Sequence, residues 1–339
     1  MLGRNEFALR NSPPLARLRI YGALAPPRFA GTPKNGKEAV HRAQRRTDLA
    51  VESHRLWQEG AGEGAALPGV RAEARDRQGF RVDSVTVSTP EAARALGKPE
   101  GVYVTIELDG LLRREEGAFQ RAVTAVADEL RPLLPPDGPA LVMGLGNRAV
   151  TPDLIGPLTV DHLLVTRHLV QQVPEHFGSL RPVSAAAPGV LAATGLESCL
   201  VAQALADRLR PACVIAVDAL ASRSLERLCR TVQLSDTGII PGSGVGNHRN
   251  PLTQESLGVP VLTVGVPTVV DGTTLALDLL ERGGKTDADR EDLPGGEDFF
   301  VTPREVDQRV ADLSKVLGYA VSLALNPSLS VDDLTMLLE

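Results

Sequence analysis

Aromatic side chains are scarce in this 339-residue chain: seven Phe, three Tyr and one Trp make up 3% of it. Any core must therefore rest on Val, Leu, Ile and Ala, and the length is enough to bury a substantial one. Cysteine is nearly absent. Cys199, Cys213 and Cys229 are widely spaced in apolar surroundings, which excludes a disulfide frame and a zinc pattern and points to a reducing, cytoplasmic compartment. No apolar run approaches the ~20 residues of a membrane span, and the first residues lack the continuous apolar segment that directs secretion. Net positive charge is missing from most of the chain. Residues 1–46 hold ten Lys/Arg against two Glu, so a chain of net −6 leaves −14 on the remainder. That balance argues against a nucleic-acid surface on the folded part. His162 and His168 stand six apart on one predicted helix and do not share a metal-binding face. No nucleophile elbow surrounds any serine, which excludes that kind of serine hydrolase.

What the chain does contain is an alternation of apolar runs and helical periods. Residues 1–48 form a basic leader with five prolines and no sustained period, a composition that predicts disorder. Residues 49–339 are expected to form one domain. Strand-like alternation at Phe80–Val87 and Val102–Leu108 predicts an antiparallel addition near 75–110. Helices are expected over Glu115–Leu130, Leu154–Gln172, Glu197–Leu209, Asp271–Glu281 and Thr302–Leu325. Between them lie the apolar runs Leu141–Met143, Val183–Ala187, Cys213–Val217, Thr231–Leu234 and Val261–Val266, with a charged insert at 283–298. This rhythm predicts an α/β fold: a mostly parallel central sheet with helices on both faces.

The chemistry is concentrated where apolar runs end. Leu141-Val-Met-Gly-Leu-Gly-Asn147 breaks into glycines and is followed by Thr151-Pro152-Asp153. A buried strand, a tight turn and a carboxylate at the next helix start are the plain reading. Gly144-x-Gly146 lacks the third glycine of a dinucleotide site, and Asp153 puts negative charge where pyrophosphate would sit. Asp153 could equally be a helix cap. Asp218 follows five apolar residues, and a carboxylate entering a core needs a partner; Arg223, five residues on, is one candidate. The other is a second carboxylate. Two strand-end acids open onto one crevice in such a fold, where one holds a proton while the other activates water, or both hold a divalent metal. Asp236-Thr237-Gly238 spells the tripeptide of pepsin-like proteases, but the alternating helices contradict an all-β architecture, so a turn is expected. The glycine-rich loop Pro241–Asn247 could cradle a phosphate or a substrate backbone, or be a plain surface loop. Asp271, after Gly265–Val270, is either a cap or a third acid at the same rim.

These segments together resemble the germination protease family of endospore-forming bacteria. The matching runs are Arg46–Glu52, Gly144–Asn147 with Thr151–Asp153, Leu164–His168, Arg181–Ala185, Ala187–Val190, Ile215–Ser224 with Glu226-Arg227, Ser235–Ile239, Pro241–Asn247, Gly265–Asp271 and Phe300–Pro303. The resemblance implies an endopeptidase that degrades small acid-soluble spore proteins in the spore core, a zymogen that cuts itself, a homotetramer, and a fold like the hydrogenase maturation endopeptidases. It places the family's catalytic pair on Asp153 and Asp218, and the processing cut between Asp48 and Leu49, with that run seated in the chain's own active site. No cofactor is firmly implied; a divalent metal at Asp153 and Asp218 stays open. Asn147, Ser243, Gly244, Gly246 and Asp271 are candidates for holding substrate, with the loop and Asn147 also candidates for the oxyanion. The leader here is longer and more basic than the family's short pro-segment. Two other readings compete: a maturation-type peptidase acting on a partner's C-terminus, and a non-enzymatic module whose acids are caps and core pairs.

Overall fold

The computed structural model describes residues 46–62, 65–243, 249–284 and 299–338. Residues 1–45 of the expected leader and most of the charged insert lie outside them. One sheet of nine strands organises the described chain. In chain order the strands are β1 (Val70–Arg77), β2 (Phe80–Val87), β3 (Gly101–Glu107), β4 (Ala140–Gly144), β5 (Val183–Ala186), β6 (Cys213–Ser222), β7 (Thr231–Ser235), β8 (Val261–Asp271) and β9 (Phe300–Val301). Their spatial order is β1-β2-β3-β7-β8-β6-β4-β5, with β9 added to the end of β8. Strands β5, β4, β6 and β8 run parallel. The antiparallel addition, β1 to β3, is continuous with them through β7.

The helices of seven residues or more are α1 (Ala50–Ala61), α2 (Pro90–Leu96), α3 (Ala118–Leu130), α4 (Ile155–Asp161), α5 (Ser198–Leu209), α6 (Gly272–Arg282), α7 (Val306–Leu325) and α8 (Val331–Leu338), with shorter ones between them. Alternation along each strand divides two apolar faces. Val104, Ile106, Val142, Ile215, Val217, Val232, Leu234, Val264 and Val266 enter a core shared with α3 and α7. On the opposite face Leu141, Met143, Val214 and Ala216 pack under α5, and Val85, Val87 and Tyr103 pack against α1 and α2.

Helices cover both faces as the periodicity predicts, but the expected helix over Leu154–Gln172 is broken. It ends at Asp161 and resumes at Arg167. Between these points tertiary bonds hold the chain to its neighbours. The Leu164 N–H donates to Ser322 Oγ at 2.9 Å, and Thr166 exchanges bonds with Val183 on β5. His162 and His168 therefore sit on different segments. Helix α1 and strand β1 fall where no periodicity was read; Val70–Arg77 is mostly exposed and lacks an alternating apolar face.

Two strands outrun their neighbours. Strand β4 stops at Gly144, opposite Val217, whereas β6 continues to Ser222 and β8 to Asp271. The last five residues of β6, beginning with Asp218, thus pair only with β8 and leave one edge open.

Candidate active site

Asp218 is the first residue of β6 past the end of β4. It is 5% exposed, and Arg223, its expected partner, is engaged elsewhere: it reaches Asp278 at 3.0 Å and Glu59 at 3.2 Å. The Asp218 carboxyl accepts one hydrogen bond through Oδ1, from the Ala219 N–H at 2.9 Å. Its second oxygen bonds no described residue. Burial pushes this carboxyl well above the usual carboxylate range, and the charges of Asp153 and then Asp48 add to the effect. That direction favours the protonated form.

Asp153 approaches from the other wall. The chain leaves β4 through Leu145 and Gly146, whose φ of +126° is the conformation glycine tolerates. A Cβ on Gly146 would stand 2.0 Å from the Asp153 carbonyl oxygen. Thr151–Asp153 then form a single 3₁₀ turn rather than the start of an α-helix. Asp153 caps nothing. Its Oδ2 accepts the Asn147 N–H at 2.8 Å, which closes the turn on itself. Gly156, in the first turn of α4, lies against the ends of β4 and β6; a Cβ there would be 2.1 Å from the Leu145 oxygen and 2.5 Å from that of Val217. That close approach carries Asp153 over to Asp218. Burial raises the Asp153 carboxyl to about 6, opposed by the Asn147 N–H.

Both aspartates line one cavity of about 370 Å³ with Asp48, Ala221, Ile240, Ser243 and Thr268. Thr268 is the extra residue of a bulge in β8, where Leu220 pairs with Pro267 and Ala221 with Val269. Its hydroxyl is buried with no partner among the described residues. The Arg46–Glu52 run lies along the open edge of β6. The Asp48 N–H donates to the Ala221 oxygen at 2.8 Å, and the Ala221 N–H donates to Asp48 Oδ2, also at 2.8 Å. Ser243 Oγ is 3.2 Å from Asp48 Oδ1. Lys98 Nζ donates to the Thr47 oxygen at 3.1 Å, and burial lowers its ammonium against the raising charges of Asp48 and Glu52. Leu49 is fully buried, and Glu52 anchors the segment through the Arg223 and Ser224 N–H groups at 2.7 and 3.1 Å.

The other sequence candidates are placed differently. Asn147 serves through its backbone, and its side-chain oxygen accepts the Ala149 N–H at 3.0 Å instead of facing the cavity. Asp271 is the N-cap of α6, accepting from Thr274 N and Oγ1 at 2.8 and 2.9 Å. It stands 3.6 Å from the Arg46 guanidinium and does not line the cavity with the two aspartates. Gly238 takes a φ of +73°, in keeping with the expected turn, while the Asp236 side chain accepts the Val102 N–H of β3 at 2.8 Å. Gly244 and Gly246 lie outside the described residues. Among those residues no group of three or more His, Cys, Asp or Glu could hold a metal ion, and no helix is long and apolar enough to cross a membrane.

Gln233 went unnoticed in the sequence. It sits on β7, where Val232 and Leu234 face the core and Thr231, Gln233 and Ser235 face the other way. A long amide on a buried strand, flanked by apolar residues of opposite facing, was the available signal.

Residues 47–285 match the family model described as germination protease. This chain belongs to the germination protease family. The germination protease of Caldanaerobacter subterraneus subsp. tengcongensis is 40% identical over 86% of this chain and 98% of its own length. That of Bacillus velezensis is 38% identical over 88% and 98%. A solved [NiFe] hydrogenase maturation protease, HycI from Thermococcus kodakarensis KOD1, aligns at a TM-score of 0.29 and 15% identity, covering 57% of this chain and 98% of that one. Family membership makes the protein a peptidase of spore germination.

Proposed function

We propose that this protein is an endopeptidase of small acid-soluble spore proteins, made as a zymogen that cuts itself between Asp48 and Leu49. In this reading it works in the cytoplasm of the spore core as a homotetramer. The observation that carries the reading is the seating of Asp48 in the cavity that Asp153 and Asp218 line. Asp153, with the lower ionisation of the two, takes the proton from the attacking water. Asp218, held protonated by burial and by its neighbour's charge, donates to the leaving amine.

The test is incubation of the purified chain with a small acid-soluble spore protein, with both followed by mass spectrometry. Wild type should cut the substrate internally and shorten itself to a chain beginning at Leu49. Asp153→Asn and Asp218→Asn should each slow both events by on the order of 10² or more. Intact substrate and intact enzyme after incubation of wild type would refute the proposal.

A further inference from the structure

We infer that Gln233 grips the scissile peptide from both sides, its Nε2–H on the carbonyl before the cut and its Oε1 on the N–H of the second residue after it. The inference rests on the reading of Asp48–Leu49 as a cut site. Gln233 Nε2 donates to the Asp48 carbonyl oxygen at 3.1 Å, and the Ala50 N–H donates to Gln233 Oε1 at 2.8 Å. One side-chain amide thus spans the Asp48–Leu49 bond. The orientation of the amide is fixed by its partners, since turning it over would set N–H against N–H and oxygen against oxygen. Gln233 is itself 5% exposed, so these bonds are made away from bulk water, where they count for more.

The sheet register explains how one residue serves the same site as the aspartates. Gln233 pairs with Gly265 on β8, and Gly265 pairs with Asp218 on β6. The three form one row across adjacent strands, so the backbones of Asp218 and Gln233 are roughly 10 Å apart across the sheet. Between them stands a residue with no side chain. Leu220 fills part of that gap, for a Cβ on Gly265 would lie 2.4 Å from its Cδ1. Asp218 and Gln233 therefore face the same side of the sheet, with the Leu220 side chain between them.

The chemistry assigns the donor a task. Water attacks the carbonyl carbon, a C–O bond forms, and the π pair moves onto the carbonyl oxygen while Asp153 takes the water's proton. As the C–N bond breaks, the amine leaves with the proton of Asp218. The oxygen that gains charge is the one Nε2–H addresses, and a preorganised amide donor at that point lowers the barrier. The acceptor end fixes the chain beyond the cut, so the carbonyl is presented in one orientation.

The test uses the full chain carrying Gln233→Glu or Gln233→Met. In the Gln233→Glu chain a carboxylate still accepts from the downstream N–H but offers no donor to the carbonyl; burial favours its protonated form, which does offer one, so its loss relative to wild type should grow as pH rises. The Gln233→Met chain keeps the bulk and offers neither. Both should cut Asp48–Leu49 more slowly by on the order of 10²–10³, and Gln233→Glu should lose kcat rather than KM on a spore-protein peptide. A second measurement needs no variant. Wild type should cut a peptide of residues 44–55 at least about tenfold faster than the same peptide N-methylated at the position of Ala50. Variants within about threefold of wild type, or an N-methylated peptide cut at the unmodified rate, would overturn the role of Gln233 alone. Wild type that cuts neither itself nor either peptide would remove the cut site as well.

Discussion

Asp48 and Ala221 are joined by two hydrogen bonds of 2.8 Å, one from the backbone of Asp48 to the Ala221 oxygen and one from the Ala221 N–H to the Asp48 carboxylate. The first bond is open to any residue. The second requires a short side chain ending in an acceptor oxygen, and Ser243 adds a contact to the other carboxylate oxygen. Hydrogen bonds to a charged group contribute about 1.5–3 kcal/mol each. Asp48→Leu should therefore slow self-cleavage by about 10- to 100-fold, with Asp48→Asn intermediate. The fraction of chain shortened over time, read by intact mass, measures this. Equal rates for all three chains would mean the carboxylate contacts contribute nothing to cleavage.

Asp153 makes the protein's stability depend on pH in a definite direction. Its carboxyl ionises at about 6 in the fold, against about 3.9 in an unfolded chain. The protonated form is the one the fold favours. The contribution is complete below the unfolded value and is lost as pH rises through about 6. Above that, holding the ionised carboxylate costs about 2–3 kcal/mol. Asp153→Asn carries no charge at any pH and keeps an oxygen for the Asn147 N–H. It should be more stable than wild type by about that amount at pH 8 and nearly equal to it at pH 4. Urea unfolding at the two pH values checks this. An Asn variant less stable than wild type at pH 8 would contradict the burial argument.

The donor set bears on the metal question. Asp153 and Asp218 each have one oxygen committed to a backbone N–H, and burial favours the proton on Asp218. Divalent oxygen-ligated cations take several anionic or carbonyl ligands. Dialysis against a chelator should accordingly leave cleavage of a spore-protein peptide unchanged. Activity lost on dialysis and restored by one divalent ion would assign the aspartates to that ion instead.

The sequence made the two carboxylates legible because each follows an apolar run that must be buried. Asp153 and Asp218 needed no more than the rule that strand ends meet at one crevice. Which partner each side chain takes is visible only in three dimensions. Arg223 is within reach of Asp218 in sequence but is drawn to Glu59 and Asp278, residues 164 and 55 positions away. Gln233 and Lys98 could not be placed because their partners are backbone atoms of a segment distant in the chain. The broken helix after Asp161 has the same origin, since periodicity does not record that Thr166 is bonded to Val183. Strand β1, exposed along most of its length, presented no apolar alternation to read.

Because β6 runs five residues beyond β4, the fold ends in a narrow ledge with a single free row of backbone groups. Such a ledge seats one extended chain at a time. In this structure Asp48 occupies it. Another extended chain pairing with the same row would have to displace Asp48 from Ala221.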